Sequence, residues 1–293
     1  MKRRAALRVL GVAGLASLVA ACQVGVPQTP TAPPTLEPTP LPTLAPTEVA
    51  VVPGVRLAID QDPDTLDPAG QTNPIASSIV EHLAETLVRL QPDGSIVPGL
   101  ARKFTPSTDG KTFIFELRPD VEFHDGTQLD AEAAALSLNR FLDPRLRVSM
   151  RAPFDTNLVA SITPLDPLTL RITLKDRSRL FLQKLAATEL AIVAPAHARG
   201  FPDSFDEEPI GTGPYRFKER RKGESVVLER FDRYWGKRST YPTIQFRIVP
   251  EVATRESLLL ANQVEVIIEP PLSDLPALQN NPALKVVQTP TAR

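Results

Sequence analysis

Residues 27–48 read PQTPTAPPTLEPTPLPTLAPTE, eight prolines and six threonines with almost no large apolar side chain. Proline lacks a backbone donor and fixes its own φ, so neither a helix interior nor a central strand runs through such a stretch. The segment also has too little to bury to offset the entropy of ordering, and proline biases it toward extended polyproline II. At about 3.1 Å per residue it reaches at most on the order of 70 Å. The block therefore acts as a tether that divides the chain, and whatever follows it must fold without what precedes it. No basic residue flanks the prolines, which disfavours a proline-rich ligand for an SH3-like partner.

Upstream of the tether, a basic stretch (Lys2, Arg3, Arg4, Arg8) leads into an apolar run over residues 9–21 and then into Cys22, the only cysteine. This is the layout of a targeting segment. The apolar run is shorter than the roughly 18 to 20 residues that a spanning helix requires. Leu18-Val19-Ala20-Ala21-Cys22 resembles the bacterial lipobox, in which small residues precede a cysteine that is acylated and becomes the new amino terminus. The expected organisation is a lipoprotein signal peptide at 1–21, a Pro/Thr-rich disordered tether at 22–50 and a folded domain at 51–293. Lipid attached to Cys22 would anchor the protein to a bacterial membrane.

With residues 1–21 removed, 29 basic side chains face 34 acidic ones. A mildly acidic chain without a Lys/Arg cluster does not attract a phosphate backbone, so no nucleic-acid partner is expected. An enzyme would need a nucleophile with a base, a carboxylate pair in a cleft or a metal set. The chain holds no G-x-S-x-G, H-E-x-x-H or G-x-x-x-x-G-K-[ST] motif, and its cysteine is consumed at position 22. His82, His124 and His197 carry no ligand spacing. The acidic pairs Asp62/Asp64 and Glu207/Glu208 read as solvated loop charges. No catalysis, metal or cofactor is expected.

The domain alternates strands and helices irregularly. Residues 55–59 alternate as a strand. Asn73 and Pro74 form an N-cap and a first-turn proline, after which Ile79, Leu83 and Leu87 recur on one helical face. Residues 103–104 and 111–117 flank a hairpin turn at 107–110. Asp130 caps a helix lined by Ala134, Leu138, Phe141 and Leu142. Further strands are read at 168–174, 215–218, 224–231, 243–249 and 264–268, with helices at 253–261 and 273–278, the last one capped. This order predicts a mixed-sheet α/β or α+β domain without regular βαβ winding.

Four motifs carry more than local structure: LDPA at 66–69, DGSIVPGLARKFTPSTDGKTFIFELRPDVEFHDGTQLDAE at 93–132, GTGPYRF at 211–217 and LERFDRYWG at 228–236. Their identity and order resemble the extracellular solute-binding proteins, family 5, the receptors of peptide and nickel ABC transporters. The resemblance runs from about residue 55 to 287. Each motif also has a plain physical reading. Gly211, Gly213 and Pro214 suit a tight backbone path where two subdomains cross. Tyr234 and Trp235 read as core packing, and His124 as a turn residue bonded to backbone. The chain departs from the family pattern at Ala133, where an acidic residue would complete a capping box, at Asn262 in place of a helix-ending glycine, and at Asp176-Arg177-Ser178-Arg179 in place of a proline-bearing loop.

The resemblance implies the first lobe of a two-lobe fold of the periplasmic-binding-protein type II class, with the second lobe beyond the sequence in hand. It implies a lipid-anchored receptor lobe that captures peptide or another small solute at the outer face of the cytoplasmic membrane or in the periplasm and delivers it to ABC permease subunits. The other reading is a surface lipoprotein that keeps the first-lobe fold as a scaffold without transporting anything. By the same resemblance the cleft wall comprises Gly70, Gln71, Thr72 and Asn73 after the first strand, the loop around Met150, Arg151 and Phe154, the turn at Thr212 and Gly213, and Ile268 with Glu269. Two or three acyl chains hold a protein to a bilayer where one alone is reversible. Replacing Cys22 by Ala is therefore expected to shift the protein from the membrane fraction to the soluble fraction and to abolish labelling by radioactive palmitate; unchanged fractionation without label would overturn the anchor.

Overall fold

The computed structural model describes residues 54–143, 157–199 and 208–288. The expected signal peptide at 1–21, Cys22, the expected tether at 22–50, and Met150, Arg151 and Phe154 lie outside the described residues, as does Glu207. The strand read at 55–59 is β1 (Val55–Ile59). It pairs in parallel with β10 (Thr243–Ile248) on one side and β11 (Val266–Ile267) on the other. Beyond β10 the sheet continues antiparallel through β9 (Ser225–Arg230) and β8 (Tyr215–Arg221), giving the order β11-β1-β10-β9-β8. Residues 225–228 and 243–246 are buried without alternation, as expected of inner strands covered on both faces.

Helix α1 (Pro74–Leu83) covers this sheet. Asn73 caps it by accepting the Ala76 N–H at 2.7 Å, and Pro74 occupies the first turn, where no donor is needed. Ile75, Ile79 and Leu83 repeat every four residues and pack with Tyr215, Leu228 and Phe246. The helix stops there. Ala84 is extended, so the expected third face residue, Leu87, leaves the helix and enters the core of the other layer. A two-stranded ribbon, β2 (Val88–Leu90) and β3 (Ile96–Pro98), leads into that layer.

The second layer is the antiparallel sheet β4-β5-β7-β6, made of β4 (Ala101–Pro106), β5 (Thr112–Leu117), β6 (Val159–Asp166) and β7 (Thr169–Leu174). Phe113, Phe115 and Leu117 alternate inward on β5, and Leu170, Ile172 and Leu174 do so on β7. Helix α2 (Ala131–Asn139) packs on this face, capped by Asp130 through the Ala133 N–H at 2.7 Å. The turn at 107–110 closes the β4–β5 hairpin with Gly110 at φ +68°. Short helices α3 (Phe181–Leu185) and α4 (Pro195–Ala198) follow β7. The chain then returns to the first sheet, and α5 (Val252–Leu260) connects β10 to β11 before α6 (Leu275–Asn280).

Three sequence readings need correction. β6 escapes periodicity because Pro164 and two register shifts break its alternation, and its pairing with β7 is what makes it a strand. The last strand has two residues, not five, and the last helix begins at Leu275 without a side-chain cap. Asn262 takes the left-handed conformation expected of it, φ +56°. No helix among the described residues is long and apolar enough to cross a membrane.

The layers are joined by a buried ion pair. Asp67, within the LDPA motif after β1, is fully buried, and so is Arg140, which follows α2 and is 4% exposed. Arg140 grips both carboxylate oxygens, Nη1 to Oδ1 at 3.2 Å and Nη2 to Oδ2, while Oδ1 also accepts the Ala69 N–H. Removing one partner of such a pair leaves an uncompensated buried charge. Arg140→Met is expected to lower the unfolding free energy by about 3 to 5 kcal/mol in urea titrations, and adding Asp67→Asn to recover part of it; a loss below about 1 kcal/mol would place the pair in solvent-accessible surroundings.

Candidate functional site

Because β11, β1 and β10 run parallel, the loops that leave them emerge at one edge of the sheet. Ligands of open α/β sheets bind in the crevice at such carboxyl ends. Here that edge carries the long loop after β1, the turn after β10 and the exit of β11 at Ile268 and Glu269. The sequence-predicted residues 70–73 and 268–269 are therefore brought to the same end of the sheet.

The β1–α1 loop is held from three directions. Asp67 binds Arg140. Asp64 accepts the backbone N–H of Thr72 at 2.7 Å and also pairs with its hydroxyl. Asp62 pairs with Arg220 at 3.2 Å and accepts the Gly223 N–H at 2.8 Å from the β8–β9 turn. Asp62 and Asp64 are thus structural anchors rather than the solvated charges expected from sequence. Asn73 is equally committed, since its side chain caps α1 and donates to the Asp62 carbonyl at 3.3 Å. Gly70 closes the turn by donating its N–H to Asp67 O at 3.0 Å.

Gln71 is different. It is 4% exposed, and among the described residues neither its amide oxygen nor its amide nitrogen has a hydrogen-bond partner. A buried polar group left unpaired costs about 1 to 3 kcal/mol, so the amide is a donor and acceptor held in waiting. At the β11 exit, Ile268 is half-buried against the core between α1 and the five-stranded sheet. Glu269 is exposed and adopts φ +46°, a left-handed conformation unusual for a residue with a Cβ. Strain of this kind concentrates at functional sites.

Thr212 and Gly213 lie elsewhere. The Gly213 N–H donates to Leu83 O at 2.9 Å, at the last turn of α1. Residues 70–73 sit at its first turn, and ten helical residues span about 15 Å. The structure separates these two parts of the predicted wall. A Cβ at Gly211 or Gly213 would meet the carbonyls of Leu83 or His82 at 2.2 and 2.3 Å, so the glycines serve the tight crossing. Thr212 is fully buried and donates its hydroxyl to Glu85 at 3.3 Å.

Two side chains hold this crossing. His124 donates Nε2–H to Gly213 O at 3.0 Å, accepts the Gly211 N–H on Nδ1 at 3.3 Å, and donates its own backbone N–H to Gly211 O at 2.9 Å. These partners select the neutral Nε2–H tautomer. Glu85, just beyond α1, accepts from Trp235 Nε1 at 2.7 Å, from the Tyr234 hydroxyl at 2.9 Å and from Thr212. Burial pushes its carboxyl above the ordinary range, opposed by the three hydrogen bonds and by Arg89; burial and the Glu85 charge raise the Tyr234 phenol. The Arg118 guanidinium covers the Trp235 ring at 4.3 Å. Sequence reading assigned Tyr234 and Trp235 to core packing and passed over Glu85, since nothing local links positions 150 residues apart.

The chain is similar in sequence and fold to known proteins. A sequence profile of the bacterial extracellular solute-binding proteins, family 5 Middle, matches residues 95–293. The nickel-binding periplasmic protein of Escherichia coli K12 is 34% identical over 205 residues, which is 68% of this chain and 39% of that protein. The glutathione-binding protein GsiB of Pectobacterium atrosepticum is 27% identical over 238 residues, 80% of this chain and 46% of its own. In structure, the ABC transporter-associated periplasmic binding protein DppA of Helicobacter pylori in complex with the peptide STSA superposes with a TM-score of 0.71 at 25% identity, covering 78% of this chain and 49% of that one. The chain thus spans about half or less of the length of these relatives.

Burial is the main force that holds His124 down to about 4, from an ordinary 6.5. The folded state keeps the ring neutral while the unfolded state takes up a proton, so this group's stabilisation is complete above pH 6.5 and is lost as the pH falls toward 4. The difference corresponds to about 3 kcal/mol. His124→Gln is expected to flatten the dependence of unfolding free energy on pH between 7 and 4 relative to the parent; parallel curves would show that the ring is solvated.

Proposed function

The chain belongs to the bacterial extracellular solute-binding proteins, family 5, and from that membership we propose that it captures a small polar solute, peptide foremost, at the outer face of a bacterial membrane and hands it to an ABC permease. In this reading lipid on Cys22 and the tether at residues 22–50 hold the folded domain within reach of the permease. No chemistry is performed on the solute.

The observation that carries the proposal is Gln71. A primary amide donates and accepts at once and so matches a peptide bond or a terminal carboxylate. Its loop is fixed by Asp62, Asp64 and Arg140, so the amide is pre-positioned at the carboxyl edge of the parallel strands. Glu269 at the same edge supplies a carboxylate for a ligand ammonium. Gly70 and Ile268 complete the backbone and apolar parts of this wall. Met150, Arg151 and Phe154 are proposed to face the same crevice. Thr212 and Gly213 would act at a distance, by fixing the far end of α1.

Calorimetric titration with Ala-Ala and Lys-Ala dipeptides tests this reading. Gln71→Ala is expected to weaken both by about tenfold or more. Glu269→Gln is expected to weaken Lys-Ala more than Ala-Ala. Equal losses for the two dipeptides would remove Glu269 from the site, and no saturable binding of any peptide to the parent would overturn peptide as the solute.

A further inference from the structure

At the C-terminal end of α1, away from the Gln71 loop, lies a cavity of about 560 Å³. Its polar lining is Glu81, Glu85, Thr86, Arg89, Thr188 and Tyr234, of which Thr86 spends its hydroxyl on the Val88 carbonyl, and Leu90 is among its apolar neighbours. Pockets of this size hold small ligands. The charges within it are unbalanced in a specific way. Glu85 is the only carboxylate here with neutral donors on both oxygens, and it forms no ion pair among the described residues. Buried carboxylates are ordinarily paired with a cation. Oε1 receives the Tyr234 hydroxyl alone, which leaves a lone pair free.

Glu81 uses one oxygen to accept the Thr188 hydroxyl at 2.9 Å, and its other oxygen has no partner among the described residues. Arg89, exposed on β2, makes neither a hydrogen bond nor an ion pair there, although its field reaches Glu85. The cavity therefore offers two carboxylates with unused acceptor sites and one guanidinium with an unused fork. An ammonium group, with three donors, suits the first; a carboxylate suits the second.

We propose that this cavity binds a small α-amino acid as its zwitterion, the ammonium between Glu81 and Glu85 and the carboxylate on Arg89, at a site separate from the solute crevice. The ligand's ammonium gives Glu85 the contacting cation that no described residue supplies. Because Glu85 also holds Trp235, Tyr234 and Thr212, occupancy braces the crossing between the two layers.

The test is a nuclear magnetic resonance titration of the full chain with L-alanine, propionate and ethylamine, following the amides of Glu85, Thr86 and Arg89. L-alanine is expected to shift them saturably below about 10 mM, with propionate and ethylamine each at least about tenfold weaker. Glu81→Ala and Arg89→Ala, both at exposed positions, are expected to weaken L-alanine by about tenfold or more without lowering the melting temperature. Gln71→Ala is expected to leave this titration unchanged, which separates it from peptide binding in the crevice. Absence of saturable shifts, unchanged affinity in Arg89→Ala, or ethylamine binding as tightly as L-alanine would overturn the proposal.

Discussion

A guanidinium and a carboxylate removed from water hold the two layers of this domain together. Asp67 leaves the first sheet on the loop after β1, and Arg140 ends the helix that packs on the second sheet. Each charge alone would be intolerable where it lies, so the two layers are stable only in the arrangement that brings them together. The same contact decides the path of the loop that continues through Gly70 and Gln71. An amide can be buried without a partner only if its backbone is fixed by other means. Asp67 and Asp62 provide that by tying the loop to the end of α2 and to the β8–β9 hairpin, and Asp64 by closing the loop on its own Thr72.

The second joint between the layers is the crossing at residues 211–214, built from the opposite ingredients. Here the layers meet because side chains are absent. Gly211 and Gly213 let the backbone come within hydrogen-bonding reach of the end of α1, and His124 and Glu85 take up the polar groups that this approach brings in. His124 works as a neutral ring and Glu85 as an acceptor of three donors, so both depend on which protons are in place. The crossing is accordingly a part of the domain that responds to acidity.

Helix α1 spans the distance between these two joints. Its N-terminal turn belongs to the candidate solute crevice and its C-terminal turn to the crossing and the adjoining cavity. Ten residues of well-capped helix keep the two polar environments about 15 Å apart. That spacing is why residues 70–73 and 268–269 form one group while Thr212 and Gly213 belong to another.

Much of the layout could be read from local pattern. Asn73 and Pro74 announce α1, Asp130 announces α2, Gly110 marks a hairpin, and the spacing of Gly211 and Gly213 marks a close approach. These signals work within a few residues, because capping and turn geometry are local physics. Family resemblance placed the motifs in order on the same basis. The proline block alone sets the expectation that residues 27–48 build no core. Tertiary structure decided the rest. β6 is a strand because β7 pairs with it, despite Pro164. Leu87 changes layers because α1 ends four residues before it. Asp62, Asp64, Asp67, Glu85 and Arg140 look alike in sequence, as charged residues on a mildly acidic chain. Beyond their immediate neighbours, their partners lie 8 to 161 residues away, and no periodicity reports on a contact that only the folded chain closes.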